Sequence, residues 1–104
     1  MTPDMKTKWL AALRSGDYIQ ATHQLKSPEN GYCCLGVLCD VHDPTLWIDV
    51  EGVDPKYIRE TDVLPAQLAA NYEIDESLQR ELIFMNDDKE YTFEQIADWI
   101  EDNL

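Results

Sequence analysis

Cys33, Cys34, Cys39 and His42 fall within ten residues of one another, in the run YCCLGVLCDVH that spans 32–42. These are the identities of a Cys3His zinc site, but helical spacing scatters them. With Cys33 at the origin, Cys34 points to about 100°, His42 to about 180° and Cys39 to about 240°. Only Cys39 and His42 share a side, and no CxxC or HxxxH elsewhere completes a set. They stay as the metal candidates, with no metal or other cofactor assigned. A disulfide fits no better: Cys34 and Cys39 would lie about 7.5 Å apart along a helix axis, and adjacent Cys33 and Cys34 could pair only with strain. A thiol nucleophile has a physical basis if Gly31-Tyr32 leads into the helix, because the dipole at the N-terminus lowers the pKa of Cys33 or Cys34. His23 and His42 are then the available bases. No cysteine-hydrolase signature surrounds them, so Cys33, Cys34, His23 and His42 are catalytic candidates without an assigned reaction.

The alternative is core. Leu35, Val37, Leu38 and Val41 point in nearly every direction around the helix, as in a central buried one. The cysteines then act as small hydrophobes, Gly36 admits another backbone, and Asp40 contacts a backbone group or cation at the rim.

The second group that could do chemistry is acidic. Glu94, Asp98 and Asp102 are spaced by four on a helical segment with Glu101 beside them, and Asp87, Asp88 and Glu90 precede it. Such a row imitates phosphates or meets a Lys/Arg patch on a partner; otherwise it is a solvated face. Asp87, Asp88 and Glu90 lack the spacing of an EF-hand loop. The row belongs to a wider asymmetry. Net charge is −13, yet residues 1–39 hold four basic and three acidic side chains while 40–104 hold four basic and eighteen acidic. That balance disfavours direct contact with nucleic acid or an anionic membrane and favours a basic protein partner.

The elements that must position these groups are short. Thr2-Pro3-Asp4 starts a helix in which Trp9, Leu10 and Leu13 recur and which Ser15-Gly16 closes. DYIQATHQLK (17–26) alternates as a strand, and Ser27–Gly31 turns. Asp43-Pro44 ends the cysteine helix. Leu46–Val50 reads as a strand, and 54–62 as a polar connection pinned by Tyr57 and Ile58. Pro65 opens a helix over 66–71. Asp75 caps another with Leu78, Leu82 and Met85 on one face, and Asn86-Asp87-Asp88 breaks it. Thr92 with Gln95 forms a capping box ahead of the stripe Phe93, Ile96, Ala97 and Ile100. The fold expected is α+β: a single globular domain over 1–104, mostly helical, with a short two- or three-stranded sheet and a buried central helix. At this length and 44% apolar residues, one core is what the chain can build.

KWLAALRSGDYIQ (8–20), GYCCLGVLCDV (31–41), Leu64-Pro65, MND (85–87) and TFEQIADWIE (92–101) occur here in an order that resembles a family of small uncharacterised proteins common in bacteriophage and prophage genomes. Met85 stands where that family would lead one to expect leucine. The resemblance implies a bacterial cytoplasm and a host protein as partner, and carries over no catalytic residue. The function expected is therefore a non-enzymatic acidic binding protein, monomeric or homodimeric, engaging a basic site on a host protein such as a defence or DNA-binding protein. The alternatives are a thiol-dependent or redox-responsive protein using Cys33 or Cys34, and a pocket protein that sequesters a small ligand with Trp9, Trp47 or Trp99. The odd cysteine count and the lack of an apolar leader fit a cytoplasmic location.

Overall fold

The computed structural model describes residues 1–104, which build five helices and two small sheets of two strands each. Helix α1 (Pro3–Arg14) starts where Thr2 accepts a hydrogen bond from the Met5 amide, 3.3 Å away. Strand β1 (Ile19–Gln20) runs parallel to β2 (Gly31–Tyr32). The alternating segment 17–26 therefore contributes only two residues to a strand. Beyond them, its Leu25 amide bonds the Thr61 carbonyl at 2.7 Å and its Leu25 carbonyl accepts from Cys33 N at 3.1 Å.

Helix α2 (Cys34–His42) is the buried central element, with every residue from Cys34 to Cys39 inside. Gly36 explains how the 25–26 segment crosses it so closely: a Cβ there would fall inside the Leu25 carbonyl. A turn of 3-10 helix, Pro44–Leu46, leads into β3 (Trp47–Ile48). This strand pairs antiparallel with β4 (Lys56–Tyr57), matching Trp47 to Tyr57 and Ile48 to Lys56. Helix α3 (Ala66–Asn71) follows Pro65. Helix α4 (Glu76–Asp87) is capped by Asp75 onto the Leu78 amide at 2.8 Å. Helix α5 (Phe93–Asn103) opens with the Thr92–Gln95 capping box, both bonds present.

Helices α1, α2, α4 and α5 enclose a core of Trp9, Leu13, Leu35, Leu38, Leu82, Met85, Ile96 and Ile100. Trp9 also donates its indole N–H to the Cys34 carbonyl at 3.0 Å, locking α1 to α2. Buried Gln79 accepts from the Leu64 amide at 3.0 Å and donates to the Ile74 carbonyl at 3.2 Å, closing two loop groups that water cannot reach. No helix is long and apolar enough to cross a membrane.

One boundary differs from the sequence expectation. Asn86 and Asp87 extend α4 instead of breaking it. Asn86 is buried and donates to the Ala21 carbonyl at 2.9 Å while accepting from Gln20 Nε2 at 3.0 Å. A polar pair that reads as a loop is a helical clamp on the β1 segment.

Candidate functional site

The cysteine helix comes first because it held the candidates for covalent chemistry. Cys33 is the N-cap of α2, and its sulfur accepts the Gly36 amide at 3.4 Å, so a thiol occupies the place of the usual hydroxyl or carboxylate. Burial overrides the helix dipole. The Cys33 thiol is pushed up to about 11 by desolvation, and Cys34 and Cys39 are raised for the same reason. All three are free, buried thiols. Cys34 points its sulfur at the Leu82 carbonyl, 3.7 Å away. Neither histidine serves them as a base. His42 Nδ1 lies 2.6 Å from the Tyr72 hydroxyl. His23 is 76% exposed, with Nδ1 3.6 Å from Asp87, whose side chain is only 9% exposed. Cys39 and His42 are drawn into no metal geometry, since no three Cys, His, Asp or Glu side chains converge on one point.

Asp40 does not meet a backbone group or cation. It accepts from the Tyr18 hydroxyl at 2.6 Å and from the Trp47 indole at 3.0 Å, joining the residue before β1 to α2 and β3 through one carboxylate. Burial and this bond raise the Tyr18 pKa. Tyr32, Trp47 and Tyr57 continue the cluster with edge-to-face contacts. Lys26 closes it: Nζ is 5.2 Å from the Trp47 ring centre, 5.6 Å from that of Tyr32 and 3.3 Å from Asp49. Tyr57 is fully buried and donates to the Asp43 carbonyl at 2.9 Å. The base of the β3–β4 hairpin is therefore packed among aromatic and charged neighbours.

The acidic row on α5 lies along its seam with α1. Arg14 reaches Asp98 at 2.8 Å, Glu101 at 3.4 Å and Glu94 at 3.9 Å, and its own pKa rises through the bonds to Asp98 and Glu101. Lys6 donates to the Glu101 carbonyl at 3.0 Å, near the negative end of the helix dipole. Asp88, Glu90 and Asp102 are exposed without an ion pair, whereas Asp87 is mostly covered.

The hairpin presents a different surface. Ile48, Val50 and Val53 are 50%, 57% and 48% exposed and alternate with Asp49, Glu51 and Asp54. Ile58 is exposed and sits at φ 62, a region that β-branched residues rarely enter. It does not pin the connection, as Tyr57 does. A cleft of about 410 Å³ opens between Pro28 and Asn30 on one side and Asp49, Val50, Glu51 and Val53 on the other. Further open clefts lie between α3 and α4, against Ile83, and beside Gln20 and Tyr91; no tryptophan lines any of them. The sequence pattern reads as an ordinary strand over 46–50 and a connection over 54–62, whereas only Trp47–Ile48 and Lys56–Tyr57 pair. The signal was the alternation WIDVEGVD, which sets a carboxylate after each aliphatic residue.

Comparison with curated proteins and with solved structures returns no match. A family model, described as a domain of unknown function (DUF8296), matches residues 1–104. Over its whole length, then, the chain belongs to this DUF8296 family, and what the domain does has to be argued from its own geometry.

Proposed function

We propose that the protein is a non-enzymatic binding module whose acidic surface engages a basic site on a host protein. The observation that carries this is the number of carboxylates left without a cation. Of the eighteen in residues 40–104, Asp49, Glu73, Glu76, Asp87, Glu94, Asp98 and Glu101 have a cationic partner within the chain, and Asp40, Asp43 and Asp75 are held by hydrogen bonds, which leaves eight with neither. Unpaired surface carboxylates raise solubility, and they also steer and orient a basic partner. The resemblance to phage and prophage proteins supports a bacterial host protein as that partner, met in the cytoplasm.

Two observations weigh against the alternatives. The thiols are sealed and held in the protonated form, so a nucleophile would first have to be exposed. Trp9 is fully buried, and Trp47 and Trp99 pack partly against the core instead of lining a cleft.

The test is capture from bacterial lysate on the immobilised protein, washed at low and then high salt, beside a variant with Glu51, Asp54 and Asp88 neutralised. The expected result is a host protein retained at low salt, released at high salt and lost on neutralisation. Retention that ignores both salt and substitution, or no retention, counts against the function proposed.

A further inference from the structure

We infer that the β3–β4 hairpin is the surface that grips the partner, and that it takes a segment presenting lysine or arginine beside aliphatic side chains; this rests on the acidic-binding function proposed above.

Apolar exposure is concentrated there. Of the seven large hydrophobic side chains that face solvent, four (Ile48, Val50, Val53 and Ile58) fall in residues 48–58. Single exposed aliphatic residues need no explanation, but a cluster on one projection does. Charge lies between them: residues 47–63 hold Asp49, Glu51, Asp54, Glu60 and Asp62 against only Lys56 and Arg59. Glu51 and Asp54 make no ion pair within the chain.

The cleft beside the hairpin matches one kind of side chain. Its wall of Pro28, Val50 and Val53 suits an aliphatic stem, and Glu51 suits a cationic tip. Asp49 already holds one ammonium, that of Lys26 at 3.3 Å, which reaches it from the side of the Tyr32 and Trp47 rings. The outer side is open and has the unpaired Glu51.

Charge selects among occupants. A second copy would bring a stretch of net charge −3 against its own like, which opposes association. A purely apolar ligand would bury Glu51 unpaired, at a desolvation cost its own contacts do not offset. A basic segment with aliphatic neighbours answers both requirements.

The experiment is amide-shift mapping of the full-length isotope-labelled protein with three synthetic peptides: Lys-Leu-Lys-Leu-Lys, Lys-Gly-Lys-Gly-Lys and Glu-Leu-Glu-Leu-Glu. The lysine–leucine peptide should perturb residues 47–58 and Asn30 and bind tightest. The glycine peptide should bind several-fold more weakly, and the glutamate peptide should leave the spectrum unchanged. Val50→Ser with Val53→Ser, and separately Glu51→Lys with Asp54→Lys, should each weaken binding about tenfold. These positions are exposed, and unchanged shifts in the helices verify the fold. Perturbations centred on Glu94, Asp98 and Asp102 would overturn the hairpin assignment and leave the acidic-binding function standing. Wild-type affinity in either double variant would also overturn the assignment. No response to either lysine peptide at any residue would count against both.

Discussion

On the seam between α1 and α5, Glu94, Asp98 and Glu101 surround one arginine; on the β3–β4 hairpin, Glu51 and Asp54 stand without a cation and have valines between and beside them. Both surfaces are rows of carboxylates at regular spacing. They differ in what the rest of the chain brings to them. Arg14, eighty-four residues from Asp98, uses the charge of the seam within the molecule. The hairpin's inner acid has Lys26, and its outer acids, Glu51 and Asp54, are exposed without a cation. Regular spacing of acids therefore identifies a face, and the nearest cation decides whether that face is free to act on a partner.

The sharpest way to break this contrast is to detach the hairpin from its base. Tyr57 is fully buried under it and closes the Asp43 carbonyl. Tyr57→Ala should destabilise the protein by about 3–5 kcal/mol, the range for a large aromatic ring truncated in a core, and should abolish peptide binding to the hairpin. Urea unfolding followed by tryptophan fluorescence measures it. A loss below about 1 kcal/mol would mean that the hairpin is a loose appendage and not a presented surface.

Alkali should separate the two regions next. Burial raises the pKa of Tyr57 in β4 of the hairpin, of Cys39 in α2 and of Cys33 at the start of α2, Cys33 to about 11. In the unfolded chain a thiol loses its proton near the ordinary value of 9.0. For Cys33 the folded state then binds more protons than the unfolded state between 9.0 and about 11, so the stability it contributes is whole below 9.0 and falls through that window; Cys39 loses stability from 9.0 upward and Tyr57 from its ordinary 10.0 upward, both continuing beyond it. The slope is about 1.4 kcal/mol per pH unit for each such group. Native thiols should resist iodoacetamide at pH 8 and become labelled together as this stability is lost. Rapid modification of one thiol at pH 8 in the folded protein would contradict the sealed site.

What was legible in the sequence is what short-range chemistry decides. Thr2-Pro3, Asp75 and the Thr92–Gln95 pair stop and start their helices with neighbours three residues away, and those helices stand where the caps put them. The buried character of α2 followed from its all-round apolar pattern. What was not legible depends on partners distant in the chain. Asn86 continues a helix because Ala21 and Gln20 satisfy it. Asp40 finds Tyr18 and Trp47. The strand propensity of 17–26 yields to the approach of Leu25 onto Gly36, and the α5 row gave no hint of Arg14. Periodicity shows which side of an element is apolar, but not what comes to cover the other side.

Ile58 offers a smaller and opposite effect. Its left-handed backbone is held by the bond from its amide to the Leu46 carbonyl at 3.3 Å, and its side chain faces solvent. Asparagine adopts that conformation at lower cost. Ile58→Asn should raise stability by about 1 kcal/mol while weakening hairpin binding, the pattern of a residue kept for contact and not for folding. A variant that binds as well as wild type would remove Ile58 from the surface.

The seam supplies the last and smallest effect, and it discriminates by its dependence on salt. Exposed ion pairs contribute little net stability because water and ions already screen them. Arg14→Gln should therefore lower the Tm only slightly in high salt, and more in low salt, where Glu94, Asp98 and Glu101 repel one another across the helix face. The same substitution frees three carboxylates. If free charge on any acidic face were enough for recognition, the variant would acquire a second site for the lysine–leucine peptide, visible as amide shifts along α5. The seam lacks the aliphatic side chains that accompany the acids of the hairpin, so the expected result is weak binding there that disappears with added salt, and an unchanged, more salt-tolerant site at 47–58. Equal binding at both places would show that charge alone selects the partner and that the exposed valines and isoleucines of the hairpin contribute nothing to it.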